Sequence, residues 1–278
     1  WFATADAHSR VGNSVVVRTV DGRAKKVEGN PGFPINHGKS DARAQAAVQS
    51  LYHPDRIKQP MIPVGQRGEG RYEVIDWEQA LTLLVNKLGA ANSFDLITSR
   101  LTGTEAEIAS SFTSLLGGRH RVHEAMEDTN FREAIKKIFG VTTTPHFDIG
   151  NAGIVLSFGA DFLGTWGSPV MYSQAYHKMR SGKRGRLTQI EPRMSLSGAS
   201  ADRWVHVKPG QEGALALSIA QVIIAEQLVD SAVWAEAVEA IGGVQALTNY
   251  APDAVTQITG VPTGQIQEIA REFVELQP

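Results

Sequence analysis

The sequence of 278 residues contains no cysteine. That absence excludes disulfide bonds, thiolate zinc sites, cysteine-ligated iron–sulfur clusters and a cysteine nucleophile within these residues. It does not decide the cellular compartment, because exported and cytosolic proteins can both lack cysteine.

The chain also has little net charge and no long apolar run. Its 27 Lys and Arg residues nearly balance 29 Asp and Glu residues, which gives a formal net charge of −2. The basic stretch 18–26 is short and mixed in sign, so we expect no nucleic-acid partner. The most apolar stretch, 213–229, contains Gln221 and Glu226 and has helical periodicity. It predicts a core helix rather than a membrane span.

Familiar ligand-binding motifs are incomplete in this sequence. The segment 38–40 reads Gly-Lys-Ser, but the position five residues before it is Phe33, where a phosphate-binding loop requires glycine. His120 and His123 lie three residues apart without a third ligand at a recognisable spacing. The favoured interpretation is a solvated polar segment, and we expect no metal site.

Strand and helix patterns predict an α/β fold. A hairpin around Asp21-Gly22 and the Gly/Pro-rich loop after it predict a small β-rich N-terminal lobe. From residue 72 onward, strands alternate with helices, as in a doubly wound, mostly parallel sheet. We therefore expect a β-rich lobe with a linker at 1–71 and an α/β domain at 72–278.

Periodicity and capping residues place the individual elements of both parts. Strands are predicted at 15–20, 24–27, 94–98, 154–158, 187–190 and 204–207. Helices are predicted at 41–51, 131–139, 170–179, 212–228, 231–241 and 263–276, and after capping boxes at Asp76/Gln79 and Thr104/Glu107. The continuous apolar run 154–158 is typical of a strand buried on both faces of a parallel sheet.

The carboxyl ends of three predicted strands carry the most informative residues. Gly159 and Asp161 follow the first strand, Glu191 and Arg193 the second, and Gly210 the third. Ligands of doubly wound folds bind at this edge, where glycine allows close approach, an acidic group can accept from ribose or guanine, and helix N-termini favour phosphate. An equally good interpretation is that these are tight turns with ordinary turn residues.

These strand ends also carry a resemblance to a known family. Blocks similar to successive blocks of the molybdopterin oxidoreductase superfamily occur at 27–31, 36–39, 51–56, 154–161, 189–193, 201–204 and 207–216. Each block alone is weak, but their order covers nearly the whole chain. The resemblance implies the fold of the first part of a longer subunit, with Gly159, Asp161, Glu191, Arg193 and Gly210 at positions of a pterin pocket.

The resemblance further implies that this chain has lost metal ligands. Members of the family commonly hold a four-iron cluster through four cysteines, and the matching positions here are Ala5, His8, Gly12 and Asp41. Alanine and glycine offer no donor atom, so the resemblance implies that this cluster is absent. The usual molybdenum-ligating cysteine or selenocysteine is missing too, and the corresponding region is 123–127.

With those ligands missing, and with its segment 158–170, the chain resembles a narrower group of proteins. That group comprises the cofactor-free large subunit of alternative complex III and a related subunit of periplasmic quinone reductase complexes. The resemblance implies a structural subunit of a quinol:electron acceptor oxidoreductase, without an active site or cofactor of its own. The implied partners are an iron–sulfur subunit or domain, a multihaem cytochrome c subunit and polytopic quinone-binding membrane subunits. The implied location is the periplasmic, outer face of the cytoplasmic membrane, with Trp1, Phe162 and Trp166 as candidate interface anchors.

Two other hypotheses stay open. The chain could belong to a catalytic molybdopterin-dependent oxidoreductase with unusual metal ligation. It could also be a stand-alone nucleotide-binding module that uses the same strand ends, although no glycine-rich fingerprint opens its first strand. Metal analysis combined with pterin fluorescence distinguishes the three hypotheses.

Overall fold

A computed structural model describes residues 1–6, 12–124 and 128–276 and divides the chain into two units, residues 1–145 and 146–278. Each unit is described by itself below. The domain division expected at residues 71/72 from the change in strand and helix pattern stays a prediction.

The first unit opens with an antiparallel sheet. Its strands and the elements that follow are β1 (Phe2–Ala5), β2 (Ser14–Val20), β3 (Arg23–Gly29), α1 (Ala42–Leu51), β4 (Met61–Pro63) and β5 (Tyr72–Val74). The predicted hairpin is confirmed: β2 pairs with β3, and Asp21 and Gly22 between them both have positive φ. Val15 and Val27 of this hairpin are buried against Ala44 of α1.

Three hydrogen bonds fix the loop between β3 and α1 and the start of that helix. The fully buried Asn36 donates from Nδ2 to the carbonyl oxygens of Ser14, at 2.8 Å, and Lys39, at 2.7 Å. Asp41 caps α1, because its Oδ1 accepts from the Ala44 N–H at 2.8 Å. The residue at the fourth cluster position therefore has a structural role in this chain.

The rest of the first unit contains a two-stranded parallel sheet with helices. Its elements are α2 (Trp77–Ala90), β6 (Asp95–Thr98), α3 (Gly103–Leu115), β7 (Arg119–Val122) and α4 (Thr129–Phe139). The capping box of Asp76 and Gln79 is confirmed. The predicted box of Thr104 and Glu107 is wrong, because α3 begins at Gly103 with Thr102 as its N-cap, so Thr104 already lies in the first turn.

The second unit is built on a parallel sheet of order β10-β9-β8. Its elements are a 3-10 turn (Ile149–Asn151), β8 (Ile154–Phe158), α5 (Pro169–Arg180), β9 (Arg186–Glu191), α6 (Leu196–Ala199), β10 (Arg203–His206), α7 (Glu212–Ala225), α8 (Ser231–Ala240), a 3-10 turn (Val244–Tyr250), α9 (Pro252–Thr259) and α10 (Thr263–Glu275). Strand β9 is central and buried from its second residue to its last, whereas β8 lies at the edge of the described sheet and is half-buried at three positions. We expected β8 to be buried on both faces. The strand that is buried in this way is β9, which pairs with a neighbouring strand on each side.

Helices cover both faces of this sheet. On one face, Ile190 packs in a cluster with Leu215 of α7 and Ile266 of α10. On the other face, Leu187 packs with Tyr172 of α5 and with Phe162. Since neighbouring side chains of a strand point to opposite faces, β9 supplies both cores, and the predicted α/β fold with helices on two sides is confirmed.

The aromatic residues considered as interface anchors are divided between core and surface. Phe162 is buried, and Trp166 is half-buried and stacks on Tyr172 with ring centroids 5.9 Å apart. Trp1 is exposed. Phe162 is thus a core residue rather than an anchor.

The packing of α7 generates a test with a matched pair of leucines. Leu215 is fully buried, whereas Leu217 on the same helix is 38% exposed. We expect Leu215→Ala to lower the free energy of unfolding by roughly 2–5 kcal/mol, because it leaves a cavity. Leu217→Ala should cost about 1 kcal/mol or less. Denaturant unfolding of the purified chain measures both changes, and equal losses would contradict the assigned core.

Candidate functional site

The three strand ends singled out in the sequence lie along one edge of the sheet. Strands β8, β9 and β10 are parallel, so their carboxyl ends meet there. The Gly159 N–H donates to the Ile190 carbonyl at 2.9 Å and continues the ladder past β8. Gly159 and Gly210 both have positive φ, and open space lies where a Cβ would stand. Their backbones are therefore accessible to a ligand.

The N-terminus of α7 is a second open feature of this edge. Its N-cap, Gln211, makes no side-chain capping bond, whereas Ser168 caps α5 through the Met171 N–H. Gly210 directly precedes that N-cap. Free N–H groups in a first helical turn favour an anion.

Asp161 does not face this open space. Its Oδ1 accepts from the Ser197 N–H at 3.0 Å and from the Ser197 hydroxyl at 2.9 Å. The Ser197 Oγ in turn accepts from the Leu163 N–H at 3.0 Å. These bonds join the loop after β8 to the first turn of α6.

Glu191 is also turned inward. Its side chain is buried, with Oε1 accepting from the Ser195 N–H at 2.6 Å and Oε2 accepting from Gln189 Nε2 at 3.0 Å. The fully buried Gln189 also donates to the Ala160 carbonyl at 3.3 Å. A Cβ on Gly198 would stand 2.3 Å from Glu191 Oε1, so this position accommodates glycine.

The five predicted positions share one edge but not one orientation. Gly159, Gly210 and Arg193 are exposed, and Arg193 forms no ion pair with any residue that the structure describes. Asp161 and Glu191 instead bind groups of the protein. The exposed backbone and the arginine are therefore the groups available to a ligand.

Three polar residues of the edge were missed by the sequence analysis. Gln189 lies inside an apolar strand, and a polar residue at such a position signals a buried hydrogen bond. Ser195 accepts from the Gly198 N–H at 3.1 Å and is the N-cap of α6. Ser197 carries no local signal, because its partner Asp161 is 36 residues away.

The opposite, amino edge of the sheet is held by ion pairs. Asp202 accepts from the Leu187 N–H at 2.9 Å and from Arg180 NH2 at 2.8 Å, and it pairs with Arg184 at 3.2 Å. Burial by itself raises the pKa of Asp202. The hydrogen bonds from Arg180 and Leu187 and the nearby charges outweigh it, so that pKa lies below its ordinary value.

The sites considered in the first unit show structural contacts. His120 Nε2 lies 2.9 Å from Thr98 Oγ1, and Asp95 pairs with Arg119 and Arg121. The histidine segment, expected as a solvated polar segment, is strand β7. Three or more His, Asp or Glu side chains do not converge into a metal-ligand group anywhere in the described ranges. His8 and residues 125–127 lie outside those ranges.

The fold and its open strand ends define a doubly wound α/β protein of a ligand-binding type. Residues 56–267 match the family model described as molybdopterin oxidoreductase, and the chain belongs to that family. The narrower resemblance to alternative complex III stays a prediction.

Curated relatives cover nearly all of the chain. It is 26% identical to the molybdopterin-containing subunit of an arsenate respiratory reductase of Shewanella sp., over 98% of the chain and 36% of the relative. It is 29% identical to the molybdopterin-binding-like subunit of a menaquinone reductase of Nitratidesulfovibrio vulgaris, over 95% and 38%. It is 28% identical to a dimethyl sulfoxide reductase of Escherichia coli, over 94% and 38%. The chain thus spans little more than a third of the length of these relatives.

A solved structure confirms the fold. Acetylene hydratase from Pelobacter acetylenicus superimposes with a TM-score of 0.73 over 96% of this chain and 38% of that chain, at 22% sequence identity. The mixed architecture of small antiparallel and parallel sheets is therefore that of the family.

The relatives correct two expectations from the sequence. The expected structural role without an active site, and the expected absence of a cofactor in this chain, are both wrong, because the relatives include molybdopterin-containing subunits of arsenate and thiosulfate reductases. The physical reason is that losing cysteines removes thiolate ligands of a metal. It does not remove the backbone edge that can hold the organic part of a cofactor.

The ion pairs of Asp202 predict a pH dependence of stability. A carboxylate whose pKa is lowered by folding stabilises the protein above its unfolded pKa of about 4 and loses that contribution as the pH falls through the folded pKa. We expect Asp202→Asn to be less stable than wild type at pH 7 and to lose less stability between about pH 4 and pH 2. Denaturant unfolding at both pH values measures this, and identical pH profiles would refute it.

Proposed function

We propose that the chain is the N-terminal, pterin-binding part of the catalytic subunit of a molybdopterin-dependent oxidoreductase. The observation that carries this proposal is the open carboxyl edge of the sheet, along which Gly159 follows β8 and Gly210 precedes the uncapped start of α7. The family membership and the reductase relatives support the same function. The substrate and the electron acceptor of this chain are left open by the proposal.

The residues at this edge fit a phosphate-bearing pterin. The first-turn N–H groups of α7 can donate to a phosphate, and Arg193 adds a cation at the mouth of the site. Gly159 and Gly210 allow a planar ring or a phosphate to approach the backbone closely. When bound, the cofactor supplies the metal that exchanges electrons with the substrate, while these residues bind and orient its organic part.

The proposal requires unusual metal ligation. Since the chain has no cysteine, a protein ligand to the metal from residues 1–278 must be an oxygen or nitrogen donor or a methionine thioether. In the region that the resemblance assigns to this ligand, the His123 N–H donates to the Thr98 carbonyl at 2.8 Å, and Glu124 pairs with Arg100 at 3.3 Å.

The same absence of cysteine motivates the proposed partners. We propose that an iron–sulfur subunit or domain exchanges electrons with the site, because residues 1–278 hold no cysteine for a cluster. A multihaem cytochrome c subunit and polytopic quinone-binding subunits are further proposed partners. One relative is named a menaquinone reductase subunit, and menaquinone is lipid-soluble, which supports a place at a membrane. We propose the outer face of the cytoplasmic membrane. None of the described helices is long and apolar enough to cross a membrane.

The cofactor itself tests the function. The complex that contains this chain, purified from its source, should hold stoichiometric pterin, measured by fluorescence after oxidation, together with molybdenum or tungsten by elemental analysis. Absence of both would contradict the proposal. A nucleotide without metal or pterin would favour the stand-alone nucleotide-binding module instead.

A matched pair of glycine variants locates the cofactor on the chain. Gly210→Val puts a side chain into the open carboxyl edge, whereas Gly182→Val does so in the turn before β9, at the amino edge. Both glycines have positive φ, so both variants are similarly strained. We expect the first to lower the pterin content several-fold and the second to leave it near wild type. Equal pterin content in the two variants would place the cofactor elsewhere.

A further inference from the structure

We propose that Asp161 and Glu191 are positioning residues, which fix the two loops of the carboxyl edge from the inside and do not contact the cofactor. The inference rests on the proposed function, because it concerns how the edge is shaped for that ligand. The five residues that form these bonds are named here the inner clamp: Asp161, Gln189, Glu191, Ser195 and Ser197.

The first bridge of the inner clamp uses both donors of one serine. Ser197 is fully buried, and its N–H and hydroxyl both point to Asp161 Oδ1, at 3.0 and 2.9 Å. Its oxygen accepts from the Leu163 N–H at 3.0 Å. The loop after β8 is therefore tied to α6 by three bonds around a single side chain.

The second bridge runs through the central strand. Gln189 donates to the Ala160 carbonyl in the loop after β8 and to Glu191 Oε2. Glu191 Oε1 accepts from the Ser195 N–H, in the loop after β9, at 2.6 Å. Two of these three bonds end on the Glu191 carboxylate, and hydrogen bonds to carboxylates are stronger than bonds between neutral groups. The path therefore connects the two loops through the central strand.

The glycines next to the carboxylates are consistent with their inward orientation. A Cβ on Gly164 would stand 2.1 Å from Asp161 Oδ2, and a Cβ on Gly198 would stand 2.3 Å from Glu191 Oε1. Neither distance is possible for a real side chain. The sequence thus has glycine at both positions where a larger residue would displace a carboxylate of the inner clamp.

A positioning carboxylate and a ligand-binding carboxylate differ in what they require. If Asp161 is a positioning residue, it needs only one acceptor oxygen for the two donors of Ser197. An asparagine side chain also supplies one acceptor oxygen. An Asp161 that bound the ligand through its charge would lose that function in Asp161→Asn. In Asp161→Ala the buried donors of Ser197 lose their partner under either model.

The experiment compares Asp161→Ala and Asp161→Asn in the complex purified from its source. Glu268→Ala is the control, because Glu268 is an exposed carboxylate paired with Arg203 at the amino edge, at 2.7 Å. The readouts are pterin content and amide hydrogen exchange of segments 160–166 and 192–199. We expect Asp161→Ala to speed exchange in both segments by about tenfold and to lower pterin content. Asp161→Asn and Glu268→Ala should remain near wild type in both readouts.

The outcomes separate this inference from the proposed function. Loss of pterin in Asp161→Asn at unchanged exchange would mean that the carboxylate contacts the cofactor, and it would overturn the inference while the function stands. Unchanged exchange in Asp161→Ala would also overturn it. Pterin missing even from the wild type would reject the function, and the exchange data would still test the inner clamp.

A second variant covers the case in which Asp161→Ala does not assemble. Ser197→Ala removes the hydroxyl and keeps the backbone N–H bond to Asp161. It should speed exchange of segment 160–166, where the Leu163 N–H loses its acceptor. Exchange at the wild-type rate in that segment would count against the inner clamp.

Discussion

Strand β9 is the constraint on which the second unit depends, because it is hydrogen-bonded to β8 on one side and to β10 on the other. Its alternating side chains supply both cores, with Leu187 on one face and Ile190 on the other. Its two ends are also fixed: Asp202 holds the N–H of Leu187 at the amino edge. At the carboxyl edge, Gln189 holds the loop that follows β8. A displacement of β9 would therefore disturb both cores and both loops together.

The sequence predicts those features of the fold that depend on local patterns. The bounds of β8, β9 and β10 are close to prediction, because each strand contains apolar residues and is followed by turn residues. Strand β7 is not predicted, because its residues Arg119 and Arg121 are charged, and the strand is held by Asp95 on the neighbouring strand. The position of the candidate site follows from the parallel order of the strands. The orientation of Asp161 does not, because it depends on Ser197, 36 residues away.

Metal ligands and cofactor pocket give different information about function. The absence of cysteine is read directly from the sequence, and it excludes cysteine-ligated clusters and thiolate ligation of a metal by these residues. The carboxyl edge is formed mainly by backbone groups at Gly159, Gly210 and the start of α7, which residue identities reveal poorly. Side-chain identities alone therefore do not decide whether such an edge holds a cofactor. Asp41, at a position where the resemblance implies a cluster ligand in other members, caps α1 in this chain.

Electrostatics explains why inward carboxylates suit this edge. A phosphate-bearing ligand is anionic, and two exposed carboxylates beside it would repel it. Asp161 and Glu191 instead accept hydrogen bonds from Ser197, Ser195 and Gln189, so their charge is compensated within the protein. The exposed Arg193 and the positive end of the α7 dipole then lie on the open side, beside Glu212 in the first turn of that helix. The same two acidic residues that suggested ligand binding in the sequence can thus stabilise the site best by facing away from the ligand.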